Sequence, residues 1–162
     1  MKKNKPNLKS SILMLFVLFF SLASVQAQIT AIVYSSAANT TPPLAGSYSS
    51  FAALTTALNA ITAMSGPVEI GLNAGSETAP PKGFTIGSPT LNAVLSSTNN
   101  IIIVGAGSTT ILNAGVGTSN GSSASPDGIL KIVGADNIYL AQMTFVDSNA
   151  ASPTVADRKS VV

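Results

Sequence analysis

The chain contains no cysteine and no histidine, and charged residues make up only 9% of its 162 positions. Without Cys and His, the chain has no disulfide framework, no thiolate chemistry, no zinc site built on these residues, and no Ser-His or Cys-His catalytic arrangement. Average soluble domains contain about 25% charged residues, so this protein has an unusually low charge density. Thirteen glycines and nine prolines, spread among Ser, Thr and Asn, favour short strands joined by turns. The composition therefore predicts a β-rich architecture without indicating a reaction.

Residues 1–27 have the order of a secretory signal peptide. Four lysines fall within the first nine residues, an apolar run follows from Ile12 to Phe20, and Val25-Gln-Ala27 offers a cleavage site. The alternative is a transmembrane anchor, but the apolar run is shorter than the roughly 20 residues that such a helix needs. We expect a secreted, extracellular protein with no membrane contact after cleavage.

Removal of that segment reverses the sign of the net charge. From residue 28 onward four basic residues stand against six acidic ones, which gives −2, whereas the whole chain carries +2. Binding to nucleic acid needs a basic patch that neutralises phosphates. No nucleic-acid partner is therefore expected.

A helix is predicted shortly after a linker, and residues 28–46 are interpreted as an N-terminal strand followed by that linker. Apolar residues recur three or four positions apart over residues 51–61, which is the spacing of an amphipathic helix. Ser50 can cap its start, and Gly66-Pro67 is a plausible stop. The apolar positions are Phe51, Leu54, Leu58 and Ile61.

Beyond Pro67 the apolar residues alternate, which indicates strands. In Val68–Leu72 the apolar side chains point one way and Glu69 the other. Residues 73–82 are interpreted as a turn-rich excursion. The other predicted strands are 28–34, 84–86, 100–104, 109–112, 129–133, 138–140 and 143–146.

Two of these strands begin alike. Asn100-Ile-Ile-Ile and Asn137-Ile-Tyr-Leu are 37 residues apart, or 24 without the 13-residue polar insertion 115–127. That period is near the roughly 20–29 residues of some solenoid repeats. A parallel β-solenoid in which Asn100 and Asn137 stack as a side-chain ladder is the favoured interpretation. A β-sandwich is the alternative.

Four segments have the order of a known fold, and they are Gly46–Phe51, Val68–Ile70, Ile102–Leu112 and Asn137–Phe145. With them, residues 46–151 resemble the opening of right-handed parallel β-helix proteins of the pectin-lyase-like kind, in an order similar to that of pectinesterases. The segment 127–137 resembles large secreted bacterial surface proteins with β-helix repeats, many of which use type IX secretion. The resemblance implies an all-β fold in which residues 47–156 form an N-terminal capping helix and the first coils of a right-handed parallel β-helix.

The resemblance also implies a function at the cell surface. We expect an adhesin-like or structural scaffold that contacts polysaccharide, a cell-surface glycan or a neighbouring surface, alongside the remaining coils of its parent protein. The alternative is the N-terminal part of a pectinesterase, polysaccharide lyase or glycosidase. The Asp and Arg that pectinesterases carry beyond the segment matching Met143–Phe145 have no counterpart here, so no catalytic residue is assigned, and no cofactor or metal is expected.

Few other residues are candidates for catalysis or for binding a nucleotide or metal ion. Gly105-Ala-Gly107 lacks the third glycine and the following helix of a dinucleotide site, so a tight turn is the better interpretation. Asp136 and Asp147 flank two predicted strands and could meet to hold Ca²⁺ or act as an acid and base pair, but ordinary turn chemistry is favoured.

Aromatic side chains are the candidates for contact with sugar rings. Phe51 and Phe145 fit core positions, whereas Tyr139 alternates with Ile138 and Leu140 and is expected to face outward. Tyr139 is therefore the one residue predicted to contact carbohydrate, although exposed strand tyrosines are also common for reasons of propensity.

The last six residues are interpreted as a non-native tail. Residues 157–162 hold three charges in an otherwise weakly charged chain and resemble a reading frame of a common sequencing adapter. A natural polar tail is the alternative. We expect the natural protein to continue past Ala156, which would make this chain an N-terminal fragment.

Overall fold

The computed structural model describes residues 27–115 and 128–146, so the predicted signal peptide up to residue 26, most of the polar insertion and the tail lie outside the described residues. Strands dominate the described residues, which confirms the mostly-β class. No helix among them is long and apolar enough to cross a membrane.

The helices are α1 (Phe51–Asn59) and α2 (Pro89–Val94). The strands are β1 (Ala31–Val33), β2 (Thr40–Thr41), β3 (Ser47–Tyr48), β4 (Ala63–Met64), β5 (Val68–Leu72), β6 (Gly75–Thr78), β7 (Phe84–Ile86), β8 (Ile101–Val104), β9 (Thr110–Asn113), β10 (Leu130–Ile132), β11 (Ile138–Ala141) and β12 (Thr144–Val146).

The chain runs through the same three sheets more than once, and we call each run a pass. The first pass is β5-β6-β7, the second is β8-β9-β10 and the third is β11-β12, and strands of successive passes pair in parallel. In the first sheet β8 lies between β5 and β11, and β1 and then β3 extend it with antiparallel pairing. The second sheet has the order β12-β9-β6, and the third joins β10 to β7. Each of the three sheets therefore receives one strand from each pass, except that the third sheet has two strands in the described residues.

The register confirms that the two Asn-led segments correspond. Ile101 pairs with Val68, 33 residues earlier, and Ile138 pairs with Ile101, 37 residues earlier. The 24-residue unit, obtained by leaving the polar insertion out of the second interval, is not matched by the first interval, which is 33 residues long. The first interval contains α2, a short helix that the sequence did not predict. Ser88 caps α2 by accepting from the Leu91 amide, Pro89 starts it, and the Leu91 side chain is buried.

The core lies between the sheets, and α1 packs against it beside β7 and β3. Phe51, Leu54 and Leu58 are fully buried, and the Phe51 ring meets the Phe84 ring edge to face with centroids 5.0 Å apart. The burial of alternate residues along β5 and β8 confirms the predicted alternation. The other fully buried large side chains are Phe84, Ile29, Ile61, Ile70, Ile86, Leu91, Ile101, Ile103 and Leu112.

The start of α1 is confirmed, but the predicted stop is wrong. The Ser50 side chain accepts from the Ala53 amide, as expected of an N-cap. The helix ends at Asn59 rather than at Gly66, because the following residues pair as β4 with β2 and the Thr62 amide donates to the Thr41 carbonyl.

Three further expectations are corrected. Residues 73–82 contain strand β6, because β9 supplies parallel partners for a segment with no apolar pattern of its own. The predicted ladder of Asn side chains does not form, since Asn100 Nδ2 donates to the Ser97 carbonyl; the carbonyls of Asn100 and Asn137 instead accept from Val68 and Ile101. Phe145 is 45% exposed although it pairs in register with buried Leu112.

Candidate functional site

The outward face of the first sheet carries the most distinctive cluster of side chains. Because side chains alternate along a strand, the register aligns Glu69 on β5, Ile102 on β8 and Tyr139 on β11 in one row across the sheet. Glu69 is exposed, Ile102 is half-buried, and Tyr139 is 54% exposed. The predicted outward orientation of Tyr139 is confirmed.

A second row on the same face brings in a tyrosine from the N-terminal segment. Gly71, Val104 and Ala141 are aligned by the same register. Tyr34 follows β1, and its amide donates to the Glu69 carbonyl at 2.8 Å. The Tyr34 ring lies directly over Gly71, where a Cβ atom would stand 2.6 Å from Tyr34 Cε2 and 2.7 Å from the hydroxyl oxygen. Glycine is therefore the residue that lets this ring rest on the sheet.

Between these side chains lies a shallow groove of about 210 Å³. Its floor is aliphatic, one wall is the Tyr34 ring, and Tyr139 stands next to it as the register partner of Ile102. We call this surface the tyrosine groove. Its lining residues are Tyr34, Glu69, Ile70, Gly71, Ile102 and Val104.

The tyrosine groove has the chemistry of a binding surface. Aromatic rings offer a large apolar face and a polar hydroxyl at a small entropic cost. The Glu69 carboxylate can accept hydrogen bonds from a ligand and is the one carboxylate among the lining residues. Hydrolysis of glycosides generally uses two carboxylates flanking the scissile bond, and the lining residues contribute one.

Among the residues that the structure describes, the other candidates from the sequence form no second site. Asp136 is exposed in the turn before β11, where Gly134 and Asn137 have positive φ, and Asp147 lies outside the described residues. Gly105-Ala-Gly107 leads into a 3₁₀ turn and then β9, which confirms the turn interpretation. In the described part of the chain no three acidic side chains lie close enough together to hold a metal ion.

Most of the groove was not predicted from the sequence. Only Glu69 and Tyr139 were expected to face outward, whereas Ile102 and Val104 also lie on the outward side of β8. One signal was available: Ile101–Val104 is apolar at every position, and continuous apolar runs occur in strands that are contacted on both faces. The contact between Tyr34 and Gly71 could not be predicted from the local sequence pattern, because 37 residues separate the two positions.

Comparison of the chain with known protein families, with characterised proteins and with solved structures finds no significant match.

Proposed function

We propose that this chain belongs to a secreted cell-surface protein built as a right-handed parallel β-helix with an N-terminal capping helix. Its role would be that of an adhesin-like or structural scaffold that contacts polysaccharide. The observation that carries the fold part is the register: β5, β8 and β11 stack in parallel, and β6, β9 and β12 do the same in a second sheet.

The direction of strand pairing, the usual handedness of crossovers and the position of α1 also agree with a parallel β-helix. The β-sandwich alternative calls for antiparallel pairing, yet within the described ranges antiparallel pairs involve only β1 to β4 with each other or with β5. Parallel strands in one sheet are joined by right-handed crossovers in about 98% of cases, which supports the right-handed form. The contacts of α1 with strands of the first pass, through Glu77 on β6 and Phe84 on β7, support its assignment as a cap.

The proposed contact with polysaccharide rests on the tyrosine groove. Exposed Tyr34 and Tyr139 stand at either side of an aliphatic floor, and Glu69 supplies a hydrogen-bond acceptor. The enzyme alternative has weaker support, because the groove lining contributes a single carboxylate.

Affinity electrophoresis of the purified chain through gels containing soluble polysaccharides tests the binding role. We expect at least one neutral or charged polysaccharide to retard the chain, with no release of reducing ends on prolonged incubation. Retardation by none would contradict the scaffold role in polysaccharide contact. Steady release of reducing ends would favour the glycosidase alternative, and unsaturated products absorbing in the ultraviolet would favour the lyase.

Expression of the full chain in a bacterium tests the secretory part separately. We expect the product outside the cytoplasm with an N-terminus at Gln28, as determined by N-terminal sequencing. An intact chain that stays in the cytoplasm would contradict the signal-peptide assignment for residues 1–27.

A further inference from the structure

We propose that the tyrosine groove binds the flat face of a neutral or amine-bearing sugar ring and disfavours uronic-acid polymers. The proposal rests on the proposed function and names the class of polysaccharide that this surface takes. Three features carry it, namely the placement of the two tyrosines, the aliphatic floor and the charge of the lining residues.

The two tyrosines are positioned to hold a short stretch of a saccharide chain. Tyr34 lies over β5, and Tyr139 rises from β11, so two strand spacings, about 9.5 Å, separate them across the sheet. Tyr34 is 67% exposed and Tyr139 is 54% exposed, which leaves both rings free to contact a ligand. A sugar ring resting on one tyrosine therefore leaves the other ring available to the neighbouring sugar.

The floor between the rings suits the apolar face of a sugar. Ile102 and Val104 are only half-buried, although they are branched aliphatic residues in the middle strand of the three parallel ones. The C–H face of a pyranose would cover them, while its hydroxyl groups point sideways to polar groups at the rim. Binding sites for small molecules commonly combine such a surface with a few polar groups that fix orientation.

The charge of the groove selects among polysaccharides. Glu69 is its one carboxylate, and no lysine or arginine is among the lining residues. A uronate would bring a second negative charge next to Glu69 with no basic partner, which is unfavourable. A hydroxyl group can donate to the Glu69 carboxylate, and a protonated amine can both donate to it and neutralise it.

Gly71→Ala tests the arrangement without removing any ligand-contacting group. All three nearest neighbours of a Cβ atom at this position belong to the Tyr34 ring, so the methyl group would push that ring off the sheet. Gly71 does not have positive φ, so alanine causes no backbone strain there. We expect Gly71→Ala to weaken binding about tenfold, the effect of losing one aromatic contact, while the thermal midpoint stays the same or rises.

The assay is titration calorimetry of the purified chain with hexasaccharides of β-1,4-glucose, β-1,4-glucosamine and galacturonate. We expect binding of the first two, and weaker or no binding of the third. Tyr34→Ala and Tyr139→Ala should each weaken binding about tenfold. The double variant Gly71→Ala/Tyr34→Ala should bind like Tyr34→Ala alone, because both changes remove the same contact. Phe145→Ala is the matched control, since it removes an exposed aromatic ring outside the groove.

The outcomes separate the two proposals. Galacturonate as the tightest ligand, or wild-type affinity in Gly71→Ala and both tyrosine variants, would overturn this inference while leaving polysaccharide binding in place. A loss in Phe145→Ala equal to that in Tyr34→Ala would also overturn it. Failure of the wild-type chain to bind any of the three hexasaccharides, together with no retardation in any polysaccharide gel, would instead overturn the polysaccharide contact itself.

Discussion

Glu77 is a buried carboxylate whose partners are backbone amides at the start of α1. Its two oxygens accept from Phe51 at 2.6 Å and from Ala52 at 3.0 Å, and Ser50 accepts from Ala53. The first three amides of a helix have no partner within the helix, so Glu77 and Ser50 together satisfy all three. The carboxylate also lies at the positive end of the helix dipole. Glu77 thus fixes α1 to the second sheet.

Glu77→Gln should lower the free energy of unfolding by about 1–3 kcal/mol, because an amide keeps one acceptor oxygen and places N–H groups against a backbone donor. Urea denaturation followed by circular dichroism measures the change. Glu69→Gln is the control, since Glu69 is exposed and a surface change of this kind costs no more than about 0.5 kcal/mol. Equal effects of the two substitutions would contradict the capping role.

Thr110 joins two passes of the chain through its side chain. It is fully buried, its hydroxyl donates to the Asn73 carbonyl at 3.1 Å, and it accepts from the Ala106 amide at 2.8 Å. The hydroxyl therefore satisfies two backbone groups at the corner where the first sheet gives way to the second.

Thr110→Val should cost about 1–3 kcal/mol, since both backbone groups lose their partner in a buried place. Thr110→Ser keeps the hydroxyl and loses only a methyl group. Hydrogen exchange distinguishes them: the Ala106 amide should exchange faster in the valine variant and remain protected in the serine variant. Protection of Ala106 in both would mean that the threonine hydroxyl is not its partner.

At the scale of elements, α1 is stable because of the surface it covers. Its nine residues are fewer than an isolated helix in water needs, so burial of its apolar stripe and the caps at its start must stabilise it. Leu54 is fully buried in that stripe, and Thr56 on the other side is exposed.

Leu54→Ala should therefore destabilise the protein by about 2–5 kcal/mol, the range for emptying a buried leucine site. Thr56→Ala should change stability by no more than about 0.5 kcal/mol. Thermal unfolding monitored by circular dichroism gives both values. Similar midpoints for the two variants would show that α1 does not cover the core.

At the scale of the whole molecule, apolar side chains are more exposed in the third pass than in the second. Leu112 on β9 is fully buried, whereas Phe145, its register partner on β12, is 45% exposed. In residues 27–115 and 128–146, strands β10, β11 and β12 each stand at an edge of their sheet. Unpaired edges next to exposed apolar side chains promote association between chains.

The purified chain should therefore self-associate as its concentration rises, and Phe145→Lys should reduce that association, because charged residues on edge strands oppose pairing. Sedimentation velocity at several concentrations measures it. Thr56→Lys adds the same charge on the exposed side of α1 and controls for net charge. A wild-type chain that stays monomeric and melts cooperatively would contradict this expectation.

The elements with a strong local pattern were predictable. Val68–Leu72 alternates, Ser50 is followed by apolar residues at helical spacing, and both elements lie where these patterns indicate. Strand β6, with the sequence Gly-Ser-Glu-Thr, has no such pattern. It forms a strand because β9 supplies its pairing partners. The cap at α1 also required the fold, since Glu77 lies 26 residues after Phe51.

By itself, the sequence determined what depends on neighbouring residues: the absence of Cys and His chemistry, the mostly-β class, the start of α1 and the outward side of Tyr139. Only the tertiary structure decided the exposure of Phe145, because that depends on whether another strand lies beyond β12. It also decided the tyrosine groove, because the ring of Tyr34 reaches Gly71 only after β1 has paired with β5. Alternation places a side chain on a face, but the contacts across that face come from strands that the chain brings together over long distances.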